Sequence, residues 1–204
     1  MAEASPVARS PISPAPPVTV QNGWEVSARR TGAELRLMDC TPLAKVLVLA
    51  TTEGDLGVRF GHAARDEHGT LVVGSGPGEW LLLAPPGTGS EVAGRVEEEP
   101  DEGLVSIFDA THGRALVRIT GARAPDLLAK VCSIDLSEEV TPDGAAFRSS
   151  VAKLVTDIVR DDLEGERSYL LHCERSSGQY LFDALLDAGD EFAIEIEGFA
   201  APGI

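Results

Sequence analysis

From Glu34 onward, apolar residues fall in short runs split by Gly, Pro and Asp, at the spacing of strands joined by turns. Leu35 and Leu37, then Val46, Val48 and Ala50, mark two strands by alternation, and Val58 and Phe60 continue the pattern. Thr70 to Gly74 and Glu79 to Ala84 predict a hairpin, because Gly74-Ser75-Gly76-Pro77-Gly78 between them carries the residues a tight reversal requires. Leu81, Leu82 and Leu83 in succession make its second strand one that is buried on both faces. Ser90 then caps a short helix with Val92 and Val96 four apart, ending in the acidic stretch Glu97 to Glu102, a solvated loop.

The second half repeats the theme with longer elements. Leu104 to Asp109 and Arg114 to Thr120 read as strands, the latter with Ala115, Val117 and Ile119 on one face. Ala124, Leu127, Leu128 and Val131 form one stripe of a helix that packs on the sheet. Val151 to Arg160 fits either period, and its β-branched content favours a strand. Tyr169, Leu171 and Cys173 alternate in another strand. Ser176 or Ser177 caps a helix with the stripe Tyr180, Leu181, Ala184, Leu185 and Ala188, and Phe192, Ile194 and Ile196 suggest a final strand. Two or three strands followed by a helix, twice over, describe an α+β domain with helices on one sheet face. The expected organisation is an arm over residues 1–22 and one domain over 23–204, in halves of about 23–103 and 104–204, too dissimilar for a repeat to be read from sequence.

The arm is Pro-, Ser- and Ala-rich, with five of the chain's thirteen prolines in its first seventeen residues. Proline removes backbone donors and fixes extended geometry, so the arm does not fold alone. Composition favours a disordered tail. The alternative is a segment lying along a partner, with Arg9, Ser10, Pro11 and Ile12, and Val18 to Val20, as the part with something to bury.

Charge narrows the function classes. Seventeen basic against thirty-three acidic residues give a net charge of −16, which repels phosphate backbones and anionic lipid surfaces. No nucleic-acid or membrane partner is expected, and no run approaches the ~20 apolar residues of a membrane helix. The N-terminus lacks an apolar signal core, and three widely spaced cysteines match neither a disulfide framework nor a metal knuckle, which together point to a reducing cytoplasm. Aromatics are 5% of the chain, too few for broad stacking platforms.

The glycine-rich stretch at 74–78 is followed by Glu79 and a strand, so no helix N-terminus faces a phosphate there. His62, His68, His112 and His172 are not at i, i+4 spacing and have no neighbouring Cys for a zinc set. No G-x-S-x-G elbow is present, and Cys132 and Cys173 sit on apolar faces, where a thiol is usually inert. Two places remain. Asp109, Thr111, His112 and Arg114 lie between two strands, where a carboxylate, an imidazole and a guanidinium can meet a ligand or simply form a capped turn. Asp157, on a strand, shares a face with Val155 and Val159, and a partly buried carboxylate there can act as a base, bind a cationic nitrogen, or pair with Arg148 or Lys153.

Asp109-Ala-Thr-His-Gly-Arg114, the strand to Gly121 and the helix ending Leu128-Ala-Lys-Val-Cys-Ser-Ile-Asp-Leu136 resemble the folate-binding aminomethyltransferases of the glycine cleavage system. Within that superfamily, Gly76-Pro77-Gly78-Glu79-Trp80-Leu81-Leu82, Arg175-Ser176, Tyr180-Leu181 and Glu191-Phe192 are similar to the gamma subunits of heterotetrameric sarcosine oxidases. The resemblance spans roughly residues 40–195. It implies a duplicated ferredoxin-like α+β folate-binding-domain fold. It also implies a cytoplasmic flavoenzyme complex that oxidises sarcosine to glycine, forms hydrogen peroxide and passes the methyl carbon to tetrahydrofolate. The implied partners are alpha, beta and delta subunits; FAD, FMN, NAD, zinc and tetrahydrofolate sit on those chains and no cofactor on this one. The family's catalytic Asp lies in a strand like G-x-x-D-D, where this chain has Lys153-Leu-Val-Thr156-Asp157, one carboxylate and the glycine missing. The expectation is therefore a structural subunit with no catalytic, cofactor-binding or metal residues of its own, an ancestral cleft filled or unused, and Arg9, Ser10, Pro11 and Ile12 as partner-binding residues. The alternative is a stand-alone folate-dependent one-carbon enzyme using Asp157.

Overall fold

The computed structural model describes residues 6–50, 56–98 and 104–201. In chain order the first elements are β1 (Ala8–Arg9), β2 (Val18–Gln21), β3 (Trp24–Ser27), β4 (Arg36–Asp39) and β5 (Ala44–Ala50). Then come β6 (Ala63–Arg65), β7 (Leu71–Gly76), β8 (Glu79–Ala84), α1 (Gly89–Glu98), β9 (Leu104–Asp109) and β10 (Arg114–Thr120). The chain closes with α2 (Ala124–Val131), β11 (Ala146–Val151), β12 (Leu154–Arg160), β13 (Ser168–Glu174), α3 (Gly178–Gly189) and β14 (Glu195–Glu197). A six-stranded sheet has the order β11-β12-β13-β10-β4-β14, a five-stranded sheet the order β6-β7-β8-β5-β9, and a small third sheet the order β1-β3-β2.

Strands with apolar residues at both parities must bury two faces, and the two large sheets do so by stacking. Val117, Ile119 and Leu171 pack beneath Leu127, Leu128, Leu181 and Leu185 of α2 and α3. Val46, Val48, Trp80 and Leu82 pack beneath Val92 and Val96 of α1. The opposite parities, Leu71, Val73, Leu81 and Leu83 on one sheet and Leu116, Val159 and Leu170 on the other, meet in the middle. Helices thus cover one face of each sheet, and the layers run helix, sheet, sheet, helix. Both sheets share the strand order second, third, first, fourth of a βαββαβ unit: β7-β8-β5-β9 in one, β12-β13-β10-β14 in the other with β4 inserted. The duplication implied by the resemblance is visible in this topology although the sequence of the halves does not show it.

Several expectations change. The divide near residue 103 moves, because β9 completes the first sheet while β4, from the first half, is built into the second. Val58 and Phe60 are not in a strand. Gly57 and Gly61, at φ 73° and 82°, flank them and break the extended run, and Phe60 is 60% exposed. The ambiguous stretch at Val151 is two strands joined by Ala152-Lys153, both at positive φ as a two-residue hairpin requires, with Val151 in β11 and the β-branched run in β12. Helix α1 starts at Gly89, before Ser90, with the Thr88 carbonyl accepting the Val92 N–H. Phe192 lies in a 3₁₀ turn, ahead of the last strand. Most of the acidic stretch after Glu97 lies outside the described residues.

The disordered-tail reading of the arm also gives way. β1 pairs parallel and β2 antiparallel with β3, so the boundary at residue 22 falls inside a hairpin. Ile12 is 1% exposed in this chain's own core. Pro11 packs on Gly178 at the start of α3, where a Cβ would come within 2.8 Å of the proline ring and 2.7 Å of Ala115. The Arg175 guanidinium donates to the Arg9 carbonyl at 2.6 Å. Of the four residues expected to meet a partner, Pro11 and Ile12 therefore meet this chain, while the Arg9 side chain stays exposed near Glu25 and Ser10 accepts the Ile12 N–H. Prolines removed donors the arm did not need, and two apolar anchors sufficed.

Candidate functional site

Strand register places Arg148 of β11, Asp157 of β12, His172 of β13 and Leu116 of β10 in one row across the inner face of the six-stranded sheet. One step deeper the row is Ala146, Val159, Leu170 and Arg118. The opposite wall comes from Leu47 and Leu49 of β5, Val73 and Ser75 of β7, and Glu79, Leu81 and Leu83 of β8. Between the walls lies a cavity of about 110 Å³.

Asp157 accepts from the Arg148 guanidinium at 2.6 and 3.2 Å and lies 3.3 Å from His172 Nδ1. Burial alone would raise its pKa, but the hydrogen bonds and charges of His172 and Arg148 outweigh that and hold the carboxyl below its ordinary value. An ionised carboxylate only accepts, so His172 Nδ1 carries the proton. Burial lowers the pKa of His172 despite Asp157, with Arg114 and Lys45 adding repulsion, so the ring is neutral at pH 7. The carboxylate is thus already paired, by Arg148 and not Lys153.

The other polar cluster does not converge. Asp109 accepts the Thr111 N–H at 2.8 Å and closes the turn into β10. His112 stacks on Trp24 with ring centroids 4.9 Å apart. Arg114 pairs with Glu174 and alone of the four lines the cavity. The capped-turn alternative is the one realised. The glycine-rich stretch is the β7–β8 hairpin, with Gly78 at φ 69°. The histidines stay apart, the three cysteines are buried and free, and among the described residues no group of three His, Cys, Asp or Glu assembles as a metal set. No helix among them is long and apolar enough to cross a membrane.

Sequence reasoning singled out Asp157 but passed over His172 and Glu79. His172 alternates out of phase with Tyr169, Leu171 and Cys173, and only the register of β13 against β12 brings it to the carboxylate. Lys45 also gave no signal. It is fully buried between Ala44 and Val46, and its ammonium donates to the carbonyls of Thr41, Leu43 and Thr111 at 2.7, 2.8 and 3.4 Å. Burial pushes its pKa down to about 7, against the pull of Asp39.

A pterin does not fit this cavity. Single-ring benzene occupies an engineered apolar cavity of about 150 Å³, and ligand sites generally begin near 300 Å³. The Asp157 carboxylate is already taken up by Arg148 and His172.

Two stacked sheets of this order form an aminomethyltransferase-like fold. The glycine cleavage aminomethyltransferase of Bartonella henselae superimposes with a TM-score of 0.68 at 16% identity, covering 91% of this chain and 56% of that one. The heterotetrameric sarcosine oxidase of Corynebacterium sp. U-96 in complex with pyrrole 2-carboxylate contains a chain that superimposes with a TM-score of 0.64 at 24% identity, covering 81% and 89%. Residues 67–203 match the family model of the GCVT N-terminal domain, and the chain belongs to that family. A sarcosine oxidase gamma subunit from Corynebacterium sp. strain P-1 is 28% identical over 139 residues, which is 67% of this chain and 65% of that subunit's length.

Proposed function

We propose that this chain is a gamma-type subunit of a heterotetrameric sarcosine oxidase, a structural member of an oxidoreductase complex and not itself catalytic. The observation that carries this reading is the state of the cleft: the Asp157 carboxylate is paired by Arg148 and His172 in a cavity too small for a pterin. A fold that retains a transferase's architecture without room for its cofactor serves as a brace for other chains. The likeness to gamma subunits supplies the complex. In that complex, working in the cytoplasm, the alpha, beta and delta subunits hold FAD, FMN, NAD, zinc and tetrahydrofolate, and sarcosine is oxidised to glycine with hydrogen peroxide formed and the methyl carbon passed to folate. The outer face of the arm, with Val18 and Val20 exposed beside Arg9 and Glu25, is the surface offered to a partner.

Co-expressing the larger subunits with and without this chain tests the reading. Loss of the assembled complex and of its turnover when the chain is omitted is the expected result, and unchanged assembly and turnover would overturn it. Titration of the pure chain with tetrahydrofolate separates the rival stand-alone enzyme, for which binding below millimolar concentration is required.

A further inference from the structure

The cavity is too small for a bicyclic ring, yet it is not a void of uniform character. Its depth is aliphatic, walled by Leu81, Leu83, Val159 and Leu170. At its mouth stand two carboxylates from opposite sheets, Asp157 and Glu79, with the Arg148 guanidinium bonded to the first and attracted to the second. Asp157 is 18% exposed, but the Arg148 side chain is 53% exposed, so the cation at the mouth belongs half to solvent. The half-exposed Arg148 side chain has room to turn into solvent, and a ligand cation taking its place would keep Asp157 paired. When Arg148 turns outward, the mouth carries two uncompensated acids above an apolar pocket. Arg114 does not neutralise them, because Glu174 holds it. The chain's net charge of −16 raises the local concentration of any cation.

We infer that this cavity is a binding site for a small alkylammonium ion, its nitrogen between Asp157 and Glu79 and its alkyl body in the aliphatic pocket, with Arg148 as an internal occupant of the cation position. The body has about four carbons, since 110 Å³ is less than benzene's cavity. Both halves of the ligand are specified: an alcohol of the same shape lacks the charge, and ammonium itself lacks the body. Nothing here depends on the assembly reading, since the site lies between the chain's own two sheets.

Isobutylammonium chloride and its neutral isostere isobutanol are titrated into the full chain at pH 7 and fixed ionic strength, followed by amide chemical shifts. Isobutylammonium binds in the millimolar range expected of so small a ligand, with shifts centred on β8 and β12, at least fivefold tighter than isobutanol. Arg148→Gln, at a half-exposed position, tightens isobutylammonium about tenfold, while Asp157→Asn weakens it by at least that factor. Leu47→Phe, which fills the cavity while leaving both acids in place, abolishes the shifts at β12. Equal affinity for the alcohol, unchanged or weaker binding by Arg148→Gln, or no response in any of these proteins up to 50-fold above the expected constant would each overturn the inference.

Discussion

Asp161, just after β12, is where removing one group should matter most to stability. Its carboxylate accepts from Arg118 of β10 at 2.7 Å and from Arg65 of β6 at 2.8 and 3.0 Å, so a single acid stitches the two large sheets together. Arg118 is 2% exposed, and its remaining acceptors are the Asp161 carbonyl at 3.1 Å and Ser168 Oγ at 2.9 Å. Asp161→Ala therefore strands a guanidinium in the core. Breaking a buried pair by removing one partner costs about 3–5 kcal/mol, most of it the charge left behind. For a chain of this size that corresponds to a fall in Tm of roughly 6–20 °C. Urea unfolding followed by circular dichroism, with the slope held constant, measures it. The reasoning makes a second demand: Arg118→Met combined with Asp161→Leu removes the stranded charge and should cost less than Asp161→Ala alone. A single replacement costing under about 1 kcal/mol, or a double one costing more, refutes the account.

Ile12→Ala should cost about 2–5 kcal/mol by equilibrium unfolding, since Ile12 is a core residue; a loss below 0.5 kcal/mol would return the arm to the status of a tail. Lys45, with its folded pKa near 7 and an unfolded value of 10.5, sheds a proton on folding above pH 7 that the unfolded chain keeps. Stability should therefore rise by up to about 1 kcal/mol from pH 7 to about 8, below the range where unfolded cysteines ionise substantially, and should not rise in Lys45→Met. Cys40 and Cys173 are pushed up by burial to about 12 and about 11, so neither should react with a thiol reagent at pH 8 faster than the protein unfolds.

Hydrophobic period located most of the large sheets' strands, because alternation in β10 or β13 reflects one face against the helices. What it could not show was a second sheet on the other face. Arg118, alternating with Val117 and Ile119, has the pattern of a solvent-facing residue and is instead buried, bound to Asp161, which Arg65 of β6 also reaches. Lys45 misleads in the same way. The Asp157 site was legible as far as a face and a choice of partners, and register alone selected Arg148 and added His172. The arm was misjudged because composition reports lost donors, whereas two short pairings and the Ile12 anchor depend on tertiary neighbours such as Gly178.

The insertion of β4 between β10 and β14 governs when this molecule can be finished. Residues 36–39 are made well before their neighbours on either side, residues 117–120 and 195–197. Leu37 waits for Ile119 before it has any sheet partner and for Ile196 before its row is complete, and at 5–20 residues per second the second wait lasts on the order of ten seconds. So long a separation between paired strands makes folding slow, and a nascent segment held open for that interval is the one a chaperone would meet first.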